Sequence, residues 1–152
     1  MSTFIGKYEA KADNKGRVFI PANYRKLLVE GERERVVMRR DAHNDCLVIY
    51  PLSAWNAKVE ALKSNLDEWN PDDERLLMQF VSEAEFLDID AQGRVLISKK
   101  HMQSIAIDSN EMIFVGMSDR FAVWAKTSFE NSTMPAADFA AKLKKRMMRN
   151  SQ

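Results

Sequence analysis

The chain has 152 residues, 45% of them hydrophobic, which is enough to bury a core without disulfides or metals. No apolar run approaches the roughly 18 to 20 residues of a membrane span, and the first residues lack the basic-then-apolar pattern of a signal peptide. A lone cysteine, Cys46, excludes an intrachain disulfide and fits a reducing cytoplasm. The net charge of +1 neither requires nor excludes nucleic acid, but its distribution is uneven. Residues 1–40 hold ten Lys and Arg against five Asp and Glu, and residues 141–149 hold five bases and no acid. Local basic patches bind phosphates even on a near-neutral chain, although the ordinary reading of any single charge run is a solvated face.

In chain order, residues 7–12 read as an extended run leading into a turn at 13–17, and residues 18–20 as a second strand. Pro21 suits the first turn of a short helix, where its missing N–H costs nothing. Residues 35–39 and 46–50 form a hairpin about Asp41-Ala42-His43-Asn44-Asp45, which has turn chemistry throughout. Ser53 can cap a helix with Trp55, Val59, Leu62 and Leu66 on one face. Asn70-Pro71-Asp72-Asp73-Glu74 starts a linking helix, with a cap, a first-turn proline and acids at the positive dipole end. It carries Leu76, Leu77, Phe80 and Val81. The strand, turn and strand then recur at 85–89, 90–94 and 95–97, followed by a helix that Ser98 can cap and a hairpin of 112–116 with 121–124. A last helix starts near Thr133-Met134-Pro135, runs through Phe139, Leu143 and Met147, and ends basic, which suits the negative dipole end.

This recurrence is a duplication. Asp13-Asn14-Lys15-Gly16-Arg17-Val18-Phe19-Ile20 aligns with Asp90-Ala91-Gln92-Gly93-Arg94-Val95-Leu96-Ile97 at an offset of 77, with Asp, Gly, Arg, Val and Ile in common. The same offset superposes 34–38 on 111–115. After a three-residue shortening, Leu47-Val48-Ile49-Tyr50 meets Phe121-Ala122-Val123-Trp124, and Trp55 meets Phe129. The implied organisation is a first repeat with its helix (1–66), a linking helix (67–84), a second repeat (85–131) and a basic C-terminal helix (132–152).

The spacing Asp-x-x-Gly-Arg has a physical rationale. Gly16 and Gly93 tolerate positive φ and so permit a tight or bulged reversal. Asp13 and Asp90 can accept backbone N–H bonds across the turn. Each can also hold its own arginine, four residues on, in a charge-assisted bond. That leaves two roles open for Arg17 and Arg94. They are structural partners of the aspartates, or they point outward, where the guanidinium fork matches phosphate oxygens and guanine edges.

Taken together, Phe4-x-Gly6, Asp13-x-Lys15-Gly16-Arg17-Val18-x-Ile20-Pro21, Tyr24-Arg25, Leu47-x-Ile49-Tyr50-Pro51 and Trp55 resemble the first half of the MraZ family of bacterial transcription regulators. Ala84, Asp90-x-Gln92-Gly93-Arg94-Val95-x-Ile97, Val115-Gly116 and Trp124 resemble its second half. The resemblance runs from about residue 4 to 130 and implies an α+β fold. In it, two AbrB-like swapped-hairpin half-barrels form one pseudo-two-fold β-barrel flanked by helices. It also implies ring-like homo-oligomers on double-stranded DNA. These would bind direct repeats upstream of the division and cell-wall gene cluster and repress the protein's own promoter. The DNA-contacting turn maps onto Asp13, Lys15, Gly16 and Arg17, and onto Asp90, Gly93 and Arg94. Two departures from the family pattern, Ser98 for a proline and Ala122 for an acid, bear on helix entry and strand pairing.

Other features are weighed against ordinary roles. His43 and Cys46 lack a third ligand at metal-site spacing, and nothing in the sequence singles out a nucleophile with the base and orienting group it needs. Trp55, Trp69, Trp124 and Phe121 fit core or interface better than base stacking. Arg33, Arg35, Arg39 and Arg40 either extend a phosphate-binding surface or, interleaved with Glu30, Glu32 and Glu34, form a solvated hairpin. Lys142, Lys144, Lys145, Arg146 and Arg149 are a phosphate contact or a solvated helix end. The leading expectation is a cytoplasmic, nucleoid-associated DNA-binding regulator, not an enzyme, with no cofactor, metal, small-molecule substrate or membrane. An antitoxin-like interaction module is the rival.

Overall fold

In a computed structural model, which describes residues 3–28 and 34–149, the chain is α+β. The first half contains β1 (Lys7–Lys11), β2 (Arg17–Phe19), α1 (Ala22–Arg25), β3 (Arg35–Arg40), β4 (Cys46–Tyr50) and α2 (Leu52–Ser64). After α3 (Pro71–Ser82) come β5 (Glu85–Asp88), β6 (Arg94–Leu96), α4 (Lys99–Ser104), β7 (Glu111–Gly116), β8 (Phe121–Trp124), α5 (Lys126–Ser132) and α6 (Ala136–Arg149). Glu30, Glu32 and Arg33 lie outside the described residues.

The two copies are interleaved. One antiparallel sheet has the order β1-β7-β8-β4-β3-β5, so the first strand of each copy adds to the other copy's hairpin. Lys7 faces Val115 at one edge, and Arg35 faces Asp88 near the other. The hairpins meet at the centre, where β4 pairs with β8 and Val48 faces Ala122. β2 and β6 leave this sheet and pair with each other as a separate two-stranded ribbon, with Val18 opposite Val95. Among the described residues the sheet is therefore open and not the implied closed barrel: β1 and β5 remain edges. The reason is local, since each Asp-x-x-Gly-Arg turn redirects the chain away from the edge strand before it.

The sheet has a packed layer on each side. Alternation along the strands sends Val36, Met38, Leu47, Ile49, Met112, Phe114, Phe121 and Val123 to one face, against Val18, Val95, Ile20, Ile97, Tyr24 and Met102. Val37, Val48, Tyr50, Ile113, Ala122 and Trp124 go to the other, under Trp55, Phe80 and Phe129. Ala122 is wholly buried and in register, so the family departure there leaves the pairing intact.

Two helix starts follow the capping chemistry. The Asn70 side chain accepts N–H bonds from Asp72 and Asp73, and Ser98 accepts one from His101, so a serine replaces the family's proline without loss of a helix entry. α2 begins at Leu52 behind Pro51, so Ser53 falls inside its first turn and is not the cap. The last helix starts at Ala136, and the residues before it form α5, which was not anticipated. α5 repeats α2 in place: Phe129 lies edge-on to Trp124 at 5.9 Å, as Trp55 lies edge-on to Tyr50 at 5.3 Å.

Candidate nucleic-acid interface

The two turns are built from the same bonds. Asp13 Oδ1 accepts from the Lys15 and Arg17 N–H groups, both at 2.9 Å, while Oδ2 accepts from Arg17 Nε at 2.7 Å. Asp90 does the same with the Gln92 and Arg94 N–H groups at 2.9 Å and Arg94 Nε at 2.8 Å. Gly16 and Gly93 sit at φ of +90° and +89°, where only glycine is unstrained. The Arg17 N–H, with the Lys15 N–H and Arg17 side chain adding to it, holds the Asp13 carboxyl below the usual range against an opposing effect of burial. Asp90 is lowered likewise, led by the Arg94 N–H. The structural role of each arginine is thus real. It occupies only Nε, and the terminal amino groups of Arg17 and Arg94 have no hydrogen-bond partner among the described residues.

The turns are also locked to each other. Ile20 N–H donates to Gly93 O at 3.0 Å, and Ile97 N–H donates to Gly16 O at 2.9 Å. They flank opposite ends of the three-pair ribbon, in which Arg17 faces Leu96 and Phe19 faces Arg94. Val18 and Val95 point into the core, so Arg17, Phe19, Arg94 and Leu96 share the outer face. Phe19 is 53% exposed and Leu96 56%, an apolar pair set between two cations. All seven site residues expected from sequence, Asp13, Lys15, Gly16, Arg17, Asp90, Gly93 and Arg94, fall on this ribbon and its turns.

The copies differ in detail. The Arg17 side chain is 38% exposed and has Lys15 beside it. The Arg94 side chain is 21% exposed and lies 5.8 Å from the centre of the Phe19 ring. One contributor was missed. Arg25 of α1 donates to Gln92 O at 3.1 Å and packs against Gly93, while its Nε is buried without a hydrogen-bond partner among the described residues. The signal was a break in the repeat: 77 residues on stands the buried Met102.

Several of the other candidates have structural roles. Arg39 is buried; it donates to Phe80 O and to Glu83, each at 3.0 Å, with its guanidinium 4.4 Å from the Phe80 ring centre. It anchors α3 to the sheet and extends no phosphate surface. Arg35 pairs with Asp88 and Arg40 with Asp45. Trp55, Trp124 and Phe121 are buried, whereas Trp69 is 86% exposed, so of core and interface only the second remains open to it. Burial, with the Asp41 charge adding to it, pushes the Cys46 thiol up to about 12, so it is a core residue rather than a nucleophile. Among the described residues no group of three or more His, Cys, Asp or Glu could hold a metal ion, and no helix is long and apolar enough to cross a membrane.

Comparison with known families bears on the repeated turns. The sequence profile of the family described as "MraZ protein, putative antitoxin-like" matches residues 3–78 and again 80–150. The chain belongs to the MraZ family. The two matches start at residues 3 and 80, the spacing of 77 that the turns show, so each half of the chain matches the family by itself. The chain is similar to the transcriptional regulator MraZ of Bacteroides fragilis, 40% identical over 97% of this chain and 92% of that protein. It is equally similar to that of Bacteroides thetaiotaomicron, at 40% over 97% and 94%. The MraZ of Erwinia tasmaniensis is 31% identical over 80% of this chain and 78% of its own.

Proposed function

We propose that this chain is a sequence-specific DNA-binding transcription regulator, with no catalytic role, that reads DNA through the outer face of the β2–β6 ribbon. The observation that carries this reading is the placement of Arg17 and Arg94 on one exposed face, each anchored through Nε alone. An antiparallel ribbon fits the major groove, and an arginine fixed at Nε has its terminal fork pre-set for a guanine edge or a phosphate. Asp13 and Asp90 serve as positioners of that fork. Lys15 supplies a second cation at the first turn, and Arg25 braces the second. The names of the relatives support the regulator role.

The finer reading follows from few cations per chain. One ribbon neutralises few phosphates, so a single subunit binds weakly, and a ring-like homo-oligomer on direct repeats gains avidity through effective concentration. In this reading the repeats lie upstream of the division and cell-wall gene cluster, the protein represses its own promoter, and it resides on the nucleoid. The two half-units act as one pseudo-two-fold reading head. The test is a footprint on the protein's own upstream region with wild type, Arg17→Ala and Arg94→Ala. Protection at spaced repeats that weakens in Arg17→Ala is the expected result. Unchanged protection in both variants at physiological salt removes the ribbon from the interface.

A further inference from the structure

α6 buries none of its residues against the rest of the chain. Phe139, Leu143 and Met147 recur every four residues, so they line one face, and they are 56%, 49% and 66% exposed. Lys142 and Arg146 run along one margin of that stripe and Lys144 along the other. This helix is too apolar on one side to be only a solvated end, and too basic on its margins to dock on a neutral surface.

The same chain carries a matching surface elsewhere. Where α2 ends and α3 begins there is an open groove of about 610 Å³. Its apolar lining is Leu66, Leu77 and Trp69, and its rim holds Asp67, Glu68, Asp73 and Glu74 against the single base Lys63. Trp69 is 86% exposed there. A tryptophan with its ring in water, ringed by four acids, is the complement of an apolar stripe bordered by lysine and arginine.

We propose that α6 of one copy lies in the α2–α3 groove of a neighbouring copy. Phe139, Leu143 and Met147 sit against Leu66, Trp69 and Leu77, with Lys142 and Arg146 facing the acidic rim. An anionic membrane would also take a basic amphipathic helix, but it leaves the acidic groove and the exposed Trp69 unexplained. A second copy accounts for both surfaces at once. Helix and groove are different patches, so when the neighbour that receives the helix is not the one that supplies a helix in return, the contact is head-to-tail and builds a ring when the rotation closes. The inference rests on the oligomer of the proposed function and names the surface that makes it.

The test uses the full chain, with mass measured by light scattering during size exclusion. The variants are Leu143→Asp, the pair Lys142→Glu with Arg146→Glu, the pair Glu68→Lys with Glu74→Lys, and all four charge reversals together. The Glu68 and Glu74 side chains form no ion pair among the described residues, and thermal melts report that the variants remain folded. The expected result is an assembled wild type, smaller species for Leu143→Asp and for each reversed pair, and recovery of the assembly when all four reversals are combined. A monomeric wild type, variants of wild-type size, or no recovery in the combined variant each overturns the contact. The DNA reading is scored separately on a single-site duplex. Arg17→Ala loses that binding and keeps its mass, whereas Glu68→Lys with Glu74→Lys loses mass and keeps single-site binding.

Discussion

Val18 lies directly opposite Val95 at the middle of the β2–β6 ribbon, each about 1% exposed, so the two copies meet there through one residue type in one environment. Truncating either to alanine removes two carbons from the same core. At about 0.8 kcal/mol per buried methylene plus a cavity contribution, each substitution costs about 2 kcal/mol. Val18→Ala and Val95→Ala should therefore shift the urea midpoint equally. The double variant should depart from additivity, because the two sites touch. Costs that differ by more than about 1 kcal/mol, half of the expected cost itself, would sink the equivalence.

Gly16 and Gly93 share a φ near +90° but not a neighbour. A Cβ on Gly16 would meet the Ile97 carbonyl oxygen at 2.5 Å, and that backbone is held by its own bond to Gly16 O. A Cβ on Gly93 would meet the Arg25 side chain, which can swing aside. Strain at positive φ costs about 1–3 kcal/mol in both, and a lost cross-link adds about 1 kcal/mol in the first. Gly16→Ala should be the more damaging by thermal melting. Gly93→Ala should cost less in an Arg25→Ala background than in wild type, and an unchanged cost there would show that Arg25 does not pack on the second turn.

Acid stability has a defined sign. The Asp13 and Asp90 carboxyls are held below their ordinary value, first by the N–H of Arg17 and of Arg94 respectively. A group depressed on folding stabilises the native state above its unfolded pKa, about 3.9 for aspartate, and that contribution is lost as pH falls through the folded value. The turns should therefore stay intact at neutral and mildly acidic pH and weaken only below about pH 4. Asp13→Asn with Asp90→Asn should be less stable at pH 7 and show a flatter acid limb in denaturant titrations between pH 7 and 3. An acid limb as steep as that of wild type would place the titrating groups elsewhere.

The duplication and its turns were legible because chemistry fixes the spacing: an aspartate that accepts two N–H groups, a glycine at positive φ and an arginine four residues on leave no freedom in sequence. Partner choice was not written locally. The alternation of β1 fits pairing with its own hairpin as well as with β7, and only the whole topology decides. α5 was invisible because Lys126-Thr127-Ser128-Phe129-Glu130-Asn131-Ser132 has no capping side chain and little helix propensity, although the match of Phe129 to Trp55 marked its place. For Trp69 residue type left core and interface open, and the loop before α3, which holds it in water, excludes the core. Arg25 was missed because its target, Gln92 O, lies 67 residues away in sequence.

The last prediction concerns the inequality of the two arginines. Arg17 is more exposed, has Lys15 beside it and sits opposite aliphatic Leu96. Arg94 is less exposed, has Gln92 in the place of that lysine and lies over Phe19. A guanine contact is worth about 1–3 kcal/mol, or roughly 5- to 150-fold in affinity, and the more exposed fork should contribute more of it. Arg17→Ala should therefore weaken operator binding more than Arg94→Ala and relax base preference at one position. Lys15→Ala should weaken all duplexes alike and reduce the slope of log affinity against log salt by about 1. Gln92→Lys should do the opposite, steepening the slope by giving the second turn the cation of the first. Fluorescence anisotropy on operator and scrambled duplexes across a salt series separates these effects. Equal losses for Arg17→Ala and Arg94→Ala would make the two turns interchangeable readers, and the Phe19 contact would then be only packing.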